Sequence, residues 1–127
     1  MARVLVVDDS TMVRKYHQFF LSALGHVVAE AEDGYIGLEM LLLSQYDLII
    51  TDINMPRMDG FQFIAEMRQI ASYETTPIII VTSQEECDDA ERGKEVGANL
   101  FFVKPTELEQ LIYWVRNLLE GVDTKEV

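Results

Sequence analysis

The sequence predicts a single α/β domain in which a parallel β-sheet is covered by helices on both faces. Five short apolar runs alternate with five segments of helical periodicity along the 127 residues, and such alternation is typical of parallel strands joined by crossover helices. The runs are apolar at nearly every position, which indicates strands that are buried on both faces. A chain of this length can bury roughly two-thirds of its unfolded surface, so one core is expected.

Strands are expected where β-branched and other apolar residues cluster, because these side chains suit a buried, pleated surface. They are predicted over residues 3–7, 26–30, 48–51, 77–81 and 100–103. Asp33-Gly34 turns the chain after the second strand, and Pro56 and Gly60 mark the loop after the third.

Two helices are predicted in the first half of the chain. Ser10 or Thr11 can cap the first, and Gly25 is placed to end it. The second is predicted over residues 36–45. The apolar positions expected to face the core are Val13, Tyr16, Phe20 and Leu24 in the first helix, and Ile36, Met40 and Leu43 in the second.

Three helices are predicted in the second half, over residues 60–71, 83–97 and 106–120. The outer two have clear apolar faces, and Gly121 is expected to end the last one. These faces consist of Phe63, Ile64, Met67 and Ile70, and of Leu108, Leu111, Ile112, Val115, Leu118 and Leu119. The middle helix has a thin face, and Gly93 costs it about 1 kcal/mol relative to Ala. We expect this helix to be loosely docked, either without a role or responsive to a nearby site.

Composition and charge narrow the classes of function. There are 22 acidic and 10 basic residues, a net charge of −12, which disfavours nonspecific nucleic-acid binding. Acids concentrate between residues 85 and 95. No apolar run approaches the roughly 20 residues of a membrane helix, and the start lacks a signal-peptide pattern, so a cytoplasmic location is expected. Cys87, the single cysteine, excludes an intrachain disulfide.

Polar residues follow four of the predicted strands. Asp8 and Asp9 follow the first, Asp52 the third, Thr82 the fourth and Lys104 the fifth. The carboxyl ends of parallel strands meet at one edge of a doubly wound sheet, where such folds keep their ligand sites. Each residue alone could be a helix cap, a turn former or a solvated charge. Their coincidence at one edge favours a site.

Carboxylates that lie within a few ångströms of one another ionise together only when a cation neutralises them, and oxygen ligands suit Mg²⁺. Lys104 supplies a positive charge and Thr82 a hydroxyl donor, which together suit a phosphoryl group. The sequence therefore predicts a Mg²⁺ pocket in which Asp52 is a nucleophile that forms an aspartyl-phosphate. His17 and His26 have no His or Cys neighbours, so packing or solvated roles are expected for them.

These residues resemble a known family, the receiver domains of bacterial two-component response regulators. The resemblance covers residues 3–120 and includes the pair Asp8-Asp9, Asp52 within Asp-Ile-Asn-Met-Pro-Arg-Met-Asp-Gly, Thr82 and Lys104-Pro105. It implies a flavodoxin-like fold with strand order 2-1-3-4-5, a receiver domain over residues 1–122 and a short tail over residues 123–127.

By this resemblance, Asp52 accepts a phosphoryl group from the phosphohistidine of a histidine kinase, and self-phosphorylation and self-dephosphorylation are its only chemistry. The Mg²⁺ ligands that the resemblance implies are Asp8, Asp9, Asp52 and the backbone carbonyl of Asn54. Lys104 binds a phosphoryl oxygen, Thr82 moves toward the phosphate, and the bond from Lys104 to Pro105 is cis. Phe101 occupies the position of a switching aromatic that is often Tyr in the family, so its switching would act through packing.

The resemblance further implies that the signal leaves through contact with a downstream protein. No output domain follows the last helix in this sequence, so we expect a stand-alone receiver of the chemotaxis type or a phosphorelay intermediate that passes its phosphoryl group to a phosphotransfer histidine. It would be a monomer with a possible dimer on phosphorylation. Candidate partner residues on the fourth helix, fifth strand and fifth helix are Ala90, Phe101, Tyr113 and Trp114. Trp114 packing against a neighbouring helix is the alternative.

Two other classes fit parts of the pattern. A flavodoxin-like cofactor binder shares the alternation of strands and helices, but Asp8-Asp9 would repel a flavin phosphate that lacks a metal. A haloacid-dehalogenase-type phosphatase also uses a nucleophilic Asp, but its second acid lies two residues further on, where this chain has Asn54. Yellow colour in the purified protein would favour the first class, and turnover of a phosphomonoester the second.

Overall fold

The computed structural model describes residues 1–83 and 89–120. Cys87, part of the acidic segment, the predicted stop at Gly121 and the tail lie outside the described residues. The strands are β1 Arg3–Val7, β2 Val27–Ala31, β3 Leu48–Thr51, β4 Ile78–Thr82 and β5 Leu100–Val103. The helices are α1 Thr11–Ala23, α2 Gly34–Leu43, α3 Gly60–Arg68, α4 Asp89–Val96 and α5 Leu108–Glu120, with a 3-10 turn over Ala71–Tyr73.

All strand pairs of the sheet are parallel, and the strand order is β2-β1-β3-β4-β5. The predicted doubly wound α/β fold is therefore confirmed. Val7 pairs with Thr51, and Thr82 pairs with Val103. Because these residues end their strands in register, the residues that follow them lie along one edge of the sheet.

The core has two layers, one on each face of the sheet. Alternate residues of β1 belong to different layers, because successive side chains of a strand point to opposite faces. Leu5 and Val7 pack with α2 and α3, whereas Val4 and Val6 pack with α1 and α5. Within the described residues, no helix combines the length and the apolar character that a membrane crossing requires.

The prediction that they face the core is wrong for four apolar positions, which are exposed: Tyr16, Leu24, Leu43 and Leu108. Leu108 is the first residue of α5 and is 39% exposed. Leu43 is 79% exposed because α2 ends there. The buried face of α2 is formed by Gly34, Gly37 and Leu41. Tyr16 and Leu24 are exposed, since α1 buries His17, Phe20 and Leu21 and ends at Ala23. A pattern with a period of 3.6 leaves the phase of a short helix open, and packing against the sheet decides which side chains are buried.

The α2 helix begins two residues earlier than the periodicity predicts. The Oδ1 atom of Asp33 accepts a hydrogen bond of 2.9 Å from the Ile36 backbone N–H, so Asp33 is its N-cap. In α4, Gly93 has low helix propensity but has a role in packing. A Cβ atom at Gly93 would lie 2.7 Å from Cδ1 of Ile80, so glycine permits α4 to approach the sheet closely.

His17 has a packing role, as one of the two expected alternatives, and it is buried. Its Nδ1 lies 3.0 Å from the carbonyl oxygen of Val13, so this nitrogen carries the proton and donates. Nε2 is buried and has no hydrogen-bond partner in the described part of the chain. Burial lowers the pKa of His17 from 6.5 to about 4.

Acid is expected to destabilise the protein through His17. Below pH 6.5 the unfolded chain binds a proton at this residue, whereas the folded chain resists it until about pH 4. This difference removes about 3 kcal/mol of the free energy of unfolding between pH 7 and pH 4. Urea unfolding of the unaltered protein and of His17→Gln, whose amide can still donate a hydrogen bond but does not titrate, measures it. The difference in free energy of unfolding between the two proteins should change from pH 7 to pH 4. If it is the same at both pH values, the role of His17 is contradicted.

Candidate functional site

One lysine joins two carboxylates at the carboxyl edge of the sheet. The Nζ atom of Lys104 lies 3.0 Å from Oδ2 of Asp8 and 3.2 Å from Oδ2 of Asp52. The three residues come from the ends of β5, β1 and β3, so residues distant in sequence meet because the strands end together. Both acids are buried, with side chains 4% and 8% exposed.

Backbone groups fix the other oxygen of each acid. Oδ1 of Asp8 accepts a hydrogen bond of 2.8 Å from the Ser10 N–H, and Oδ1 of Asp52 accepts one of 2.7 Å from the Ile53 N–H. Lys104 is held in turn, because its N–H donates to the carbonyl of Thr82 over 2.7 Å, and its peptide bond to the following proline is cis. The main chain thus orients both carboxylates and fixes the backbone of Lys104, from which its side chain reaches them.

The third predicted acid, Asp9, is exposed and joins the same cluster. Carboxylate oxygens of Asp8, Asp9 and Asp52 all lie within 4.8 Å of one another. Hard divalent cations bind to such clusters of oxygen ligands, and Mg²⁺ keeps some of its waters there. The donor set and the exposed side of the cluster therefore fit Mg²⁺. Asn54, whose carbonyl is the fourth predicted ligand, lies two residues after Asp52 in the exposed loop.

The charges of the cluster are balanced incompletely. Burial raises the pKa of Asp8, with a further contribution from the charge of Asp52, and the hydrogen bonds from Ser10 and Lys104 offset this only in part. Burial opposes the charged form of Lys104, but the hydrogen bond to Asp8 and the charges of both acids outweigh it, so the pKa of Lys104 is raised. One ammonium group thus faces more than one carboxylate, which leaves negative charge for a cation to neutralise.

Thr82 and Phe101 lie on the side of the site that faces α4. Thr82 ends β4 and is fully buried. Phe101 is half-buried in β5, and its ring lies 3.6 Å from the position of a Cβ atom at Gly93 of α4. A movement of Thr82 would therefore occur in a packed region between the site and α4.

Residues 4–116 match the family model described as the response regulator receiver domain. The chain belongs to this family. The predicted resemblance is thereby confirmed, and the acidic cluster lies within a receiver domain.

Relatives of this receiver differ in length. It is 38% identical over 102 residues to the gliding motility regulatory protein of Myxococcus xanthus, covering 80% of this chain and 13% of that protein. It is 33% identical over 127 residues to the response regulator ArlR of Staphylococcus epidermidis, covering 100% of this chain and 57% of that protein. The chain thus spans from about an eighth to just over half the length of these two relatives.

A solved structure similar to this receiver is that of the chemotaxis protein CheY4 from Vibrio cholerae. The two share 37% sequence identity and a TM-score of 0.88, and the match covers 94% of this chain and 99% of the other. The fold of a chemotaxis-type receiver is therefore matched over nearly its whole length.

The predicted partner residues of the receiver lie in two separate grooves. Ala90 and Phe101 line a groove between α4 and β5. Tyr113 and Trp114 line another groove on α5 and form an edge-to-face pair with ring centroids 5.1 Å apart. Tyr113 is 57% exposed, whereas Trp114 is half-buried, so Tyr113 is the more available of the two for a partner.

Sequence reasoning missed two arginines that brace the receiver site. Nη1 of Arg14 donates to the carbonyl of Asp8 over 2.7 Å, while its Nε pairs with Oε1 of Glu30 at 3.1 Å. Arg57, in the loop after Asp52, pairs with Asp33 at the start of α2. No local motif marks these pairs, because their partners are 16 and 24 residues distant.

Proposed function

We propose that this chain, with a receiver domain over residues 1–122 and a short tail after it, is a phosphorylatable response regulator in which Asp52 accepts a phosphoryl group from the phosphohistidine of a histidine kinase. The observation that carries the proposal is the Lys104 ammonium group, 3.0 Å from Asp8 and 3.2 Å from Asp52. A phosphoryl group on Asp52 would meet a cation that is already in place. The match to receiver domains supports the same role.

In the transfer step, an oxygen of the Asp52 carboxylate attacks phosphorus, and the P–N bond to the donor imidazole breaks. The bonding electrons return to the imidazole nitrogen, and the product is an acyl phosphate on Asp52. The transferred phosphoryl group brings its negatively charged oxygens beside the carboxylate cluster, and a preorganised cation stabilises them. Lys104 is held through its own backbone N–H and by two carboxylates. Its ammonium group therefore supplies this positive charge from a position that is already fixed.

The acidic cluster would hold Mg²⁺ through Asp8, Asp9, Asp52 and the carbonyl of Asn54. When bound, Mg²⁺ supplies positive charge to the phosphoryl oxygens. The mutual distances of the carboxylate oxygens, all within 4.8 Å, support this assignment. Hydrolysis of the acyl phosphate by water would release inorganic phosphate and return the free carboxylate, and this dephosphorylation would be the chain's only other chemistry.

The output of the proposed regulator is a change at the surface formed by α4, β5 and α5. Thr82 would move toward the phosphoryl group and Phe101 would repack against α4, which alters the groove that Ala90 and Phe101 line. Tyr113 and Trp114 would extend the surface for a downstream protein. The net charge of −12 favours a protein partner over direct nucleic-acid binding, and a cytoplasmic location fits a kinase donor. The similarity to a chemotaxis protein supports a role of the chemotaxis type.

Phosphoramidate tests the proposed function, because it is a small phosphoryl donor with the P–N bond of phosphohistidine. Incubation with Mg²⁺ is expected to add one phosphoryl group to most of the protein, as measured by intact mass. Incubation with a chelator in place of Mg²⁺ is expected to reduce the labelled fraction at least tenfold, as about 10- to 100-fold losses are typical when a metal site is impaired. Absence of labelling in Mg²⁺ would contradict the proposal.

A further inference from the structure

The loop after Asp52 contains a residue in a strained backbone conformation. Arg57 has a φ of 71° and is the non-glycine residue with a positive φ within residues 1–83 and 89–120. The N–H of Met58 donates to the carbonyl of Pro56 over 2.7 Å, so Arg57 is the centre of a γ-turn. This conformation strains the backbone of a non-glycine residue, whereas glycine adopts it freely. The side chain of Arg57 therefore needs contacts that offset the strain.

Those contacts are made with the start of α2. Nε of Arg57 donates to Oδ2 of Asp33 over 2.9 Å, and Nη2 donates to the same oxygen. Asp33 is only 2% exposed, and its other oxygen caps α2 through the Ile36 N–H. The Arg57 guanidinium also lies 5.6 Å from the centroid of the Tyr35 ring. Two arginine donors thus share one buried carboxylate oxygen.

The Asp33 carboxylate stays charged despite its burial, and it therefore binds the Arg57 guanidinium as an ion pair. Burial acts to raise the pKa of Asp33, but the hydrogen bonds from Ile36 and Arg57, together with the Arg57 charge, outweigh this effect and lower it. A charged acceptor forms stronger hydrogen bonds than a neutral one. The Arg57 contact is therefore stronger than an ordinary exposed ion pair, although its cation is more than half exposed.

Two other contacts close the same loop without involving charge. The Gly60 N–H donates to the carbonyl of Ile53 over 2.8 Å. Met58 is buried beneath Gly34, where a Cβ atom would lie 2.8 Å from the Met58 sulfur. These contacts fix the base and the far side of the loop. Arg57 adds a charged contact with the start of α2 on the exposed part of the loop, which also carries Asn54.

We infer that Arg57 is a positioning residue whose ion pair with Asp33 holds the loop over residues 53–58 so that the Asn54 carbonyl faces the acidic cluster. This inference rests on the proposed function, because it assigns the loop a role in Mg²⁺ binding. Loss of the ion pair frees the loop while Asp8, Asp9 and Asp52 stay in place. Weaker Mg²⁺ binding with an intact fold is the consequence.

Arg57→Gly and Asp33→Asn separate positioning from folding. Glycine tolerates the positive φ, so Arg57→Gly loses the side chain and also the strain, and asparagine still caps α2 in Asp33→Asn. Calorimetric titration with Mg²⁺ is expected to show a Kd raised about tenfold in each variant, the loss that is usual when a residue that orients a metal ligand is removed. The double variant is expected to be no weaker than either single one, because both remove the same ion pair. Arg3→Ala is the matched control, since Arg3 lies 5.5 Å from the Tyr46 ring centroid at the far end of β1.

The outcomes distinguish this inference from the proposed function. If the unaltered chain binds no Mg²⁺, the proposed function is overturned together with the role of Arg57. If it binds Mg²⁺, and Arg57→Gly and Asp33→Asn bind it within twofold of the parent, only the role of Arg57 is overturned. Should Arg57→Gly unfold, Arg57→Asn replaces it, because asparagine also tolerates a positive φ. Backbone amide shifts of residues 53–58 that change in both variants, with unchanged circular dichroism, support the inference.

Discussion

Asp52→Asn is expected to abolish labelling by phosphoramidate in Mg²⁺. Asparagine has the shape of aspartate, but its neutral amide is a poor nucleophile and a weaker metal ligand. The Ile53 N–H can still donate to the side-chain oxygen at residue 52, so the fold is expected to remain. Intact mass measures the labelled fraction, which should fall below detection.

Asp59→Asn is the matched control for this substitution. Asp59 lies in the same loop and caps α3 through a hydrogen bond of 2.9 Å from the Gln62 N–H to Oδ1, a bond that asparagine also accepts. Labelling of this control should equal that of the unaltered protein. Labelling of Asp52→Asn at a comparable level would remove Asp52 from the role of acceptor.

Lys104→Met is expected to slow labelling about a hundredfold at saturating Mg²⁺, since loss of one preorganised group that stabilises developing charge has an effect of this size. Methionine keeps most of the side-chain length and removes the charge that Asp8 and Asp52 share. The labelling rate is obtained from the intact mass of samples in which the reaction is quenched at successive times. Lys15→Met, which removes an exposed lysine 3.0 Å from Glu30, should label at the unaltered rate.

The same substitution has a second signature in stability. With a chelator present, Lys104→Met leaves two buried carboxylates without their cation, and the free energy of unfolding is expected to fall by about 2 kcal/mol after allowance for the partial exposure of Lys104. Mg²⁺ replaces some of the missing positive charge, so the loss should be smaller in Mg²⁺. Equal losses in both conditions, or a labelling rate within twofold of the parent, would show that Lys104 does not act at this site.

The sequence was sufficient for the sheet and for the edge at which the polar residues meet. Each strand is a run of apolar residues, and the register of parallel strands then brings Asp8, Asp52 and Lys104 together. The prediction succeeded here because the topology alone determines which residues end their strands side by side. Charge and residue type then indicated a cation and a phosphoryl group.

Contacts that depend on helix phase or on distant pairs could not be predicted. Leu43 was assigned to the core because its spacing fits, but α2 buries the face formed by Gly34, Gly37 and Leu41 and leaves Leu43 exposed. The burial of His17 depends on how α1 packs against the sheet, which periodicity leaves open. The pair between Arg57 and Asp33 joins a loop to a helix start, and neither residue carries a local signal for the other.

Locating the phosphoryl group within the chain tests the role of Asp52 most directly. Borohydride reduces an acyl phosphate to an alcohol and leaves unmodified carboxylates intact, so the labelled aspartate becomes a residue of distinct mass. Tandem mass spectrometry of the reduced, digested protein is expected to find this change at residue 52 alone, and only after incubation with donor and Mg²⁺. A change at Asp8 or Asp9, or a phosphoryl group on His17 or His26, would contradict Asp52 as the acceptor.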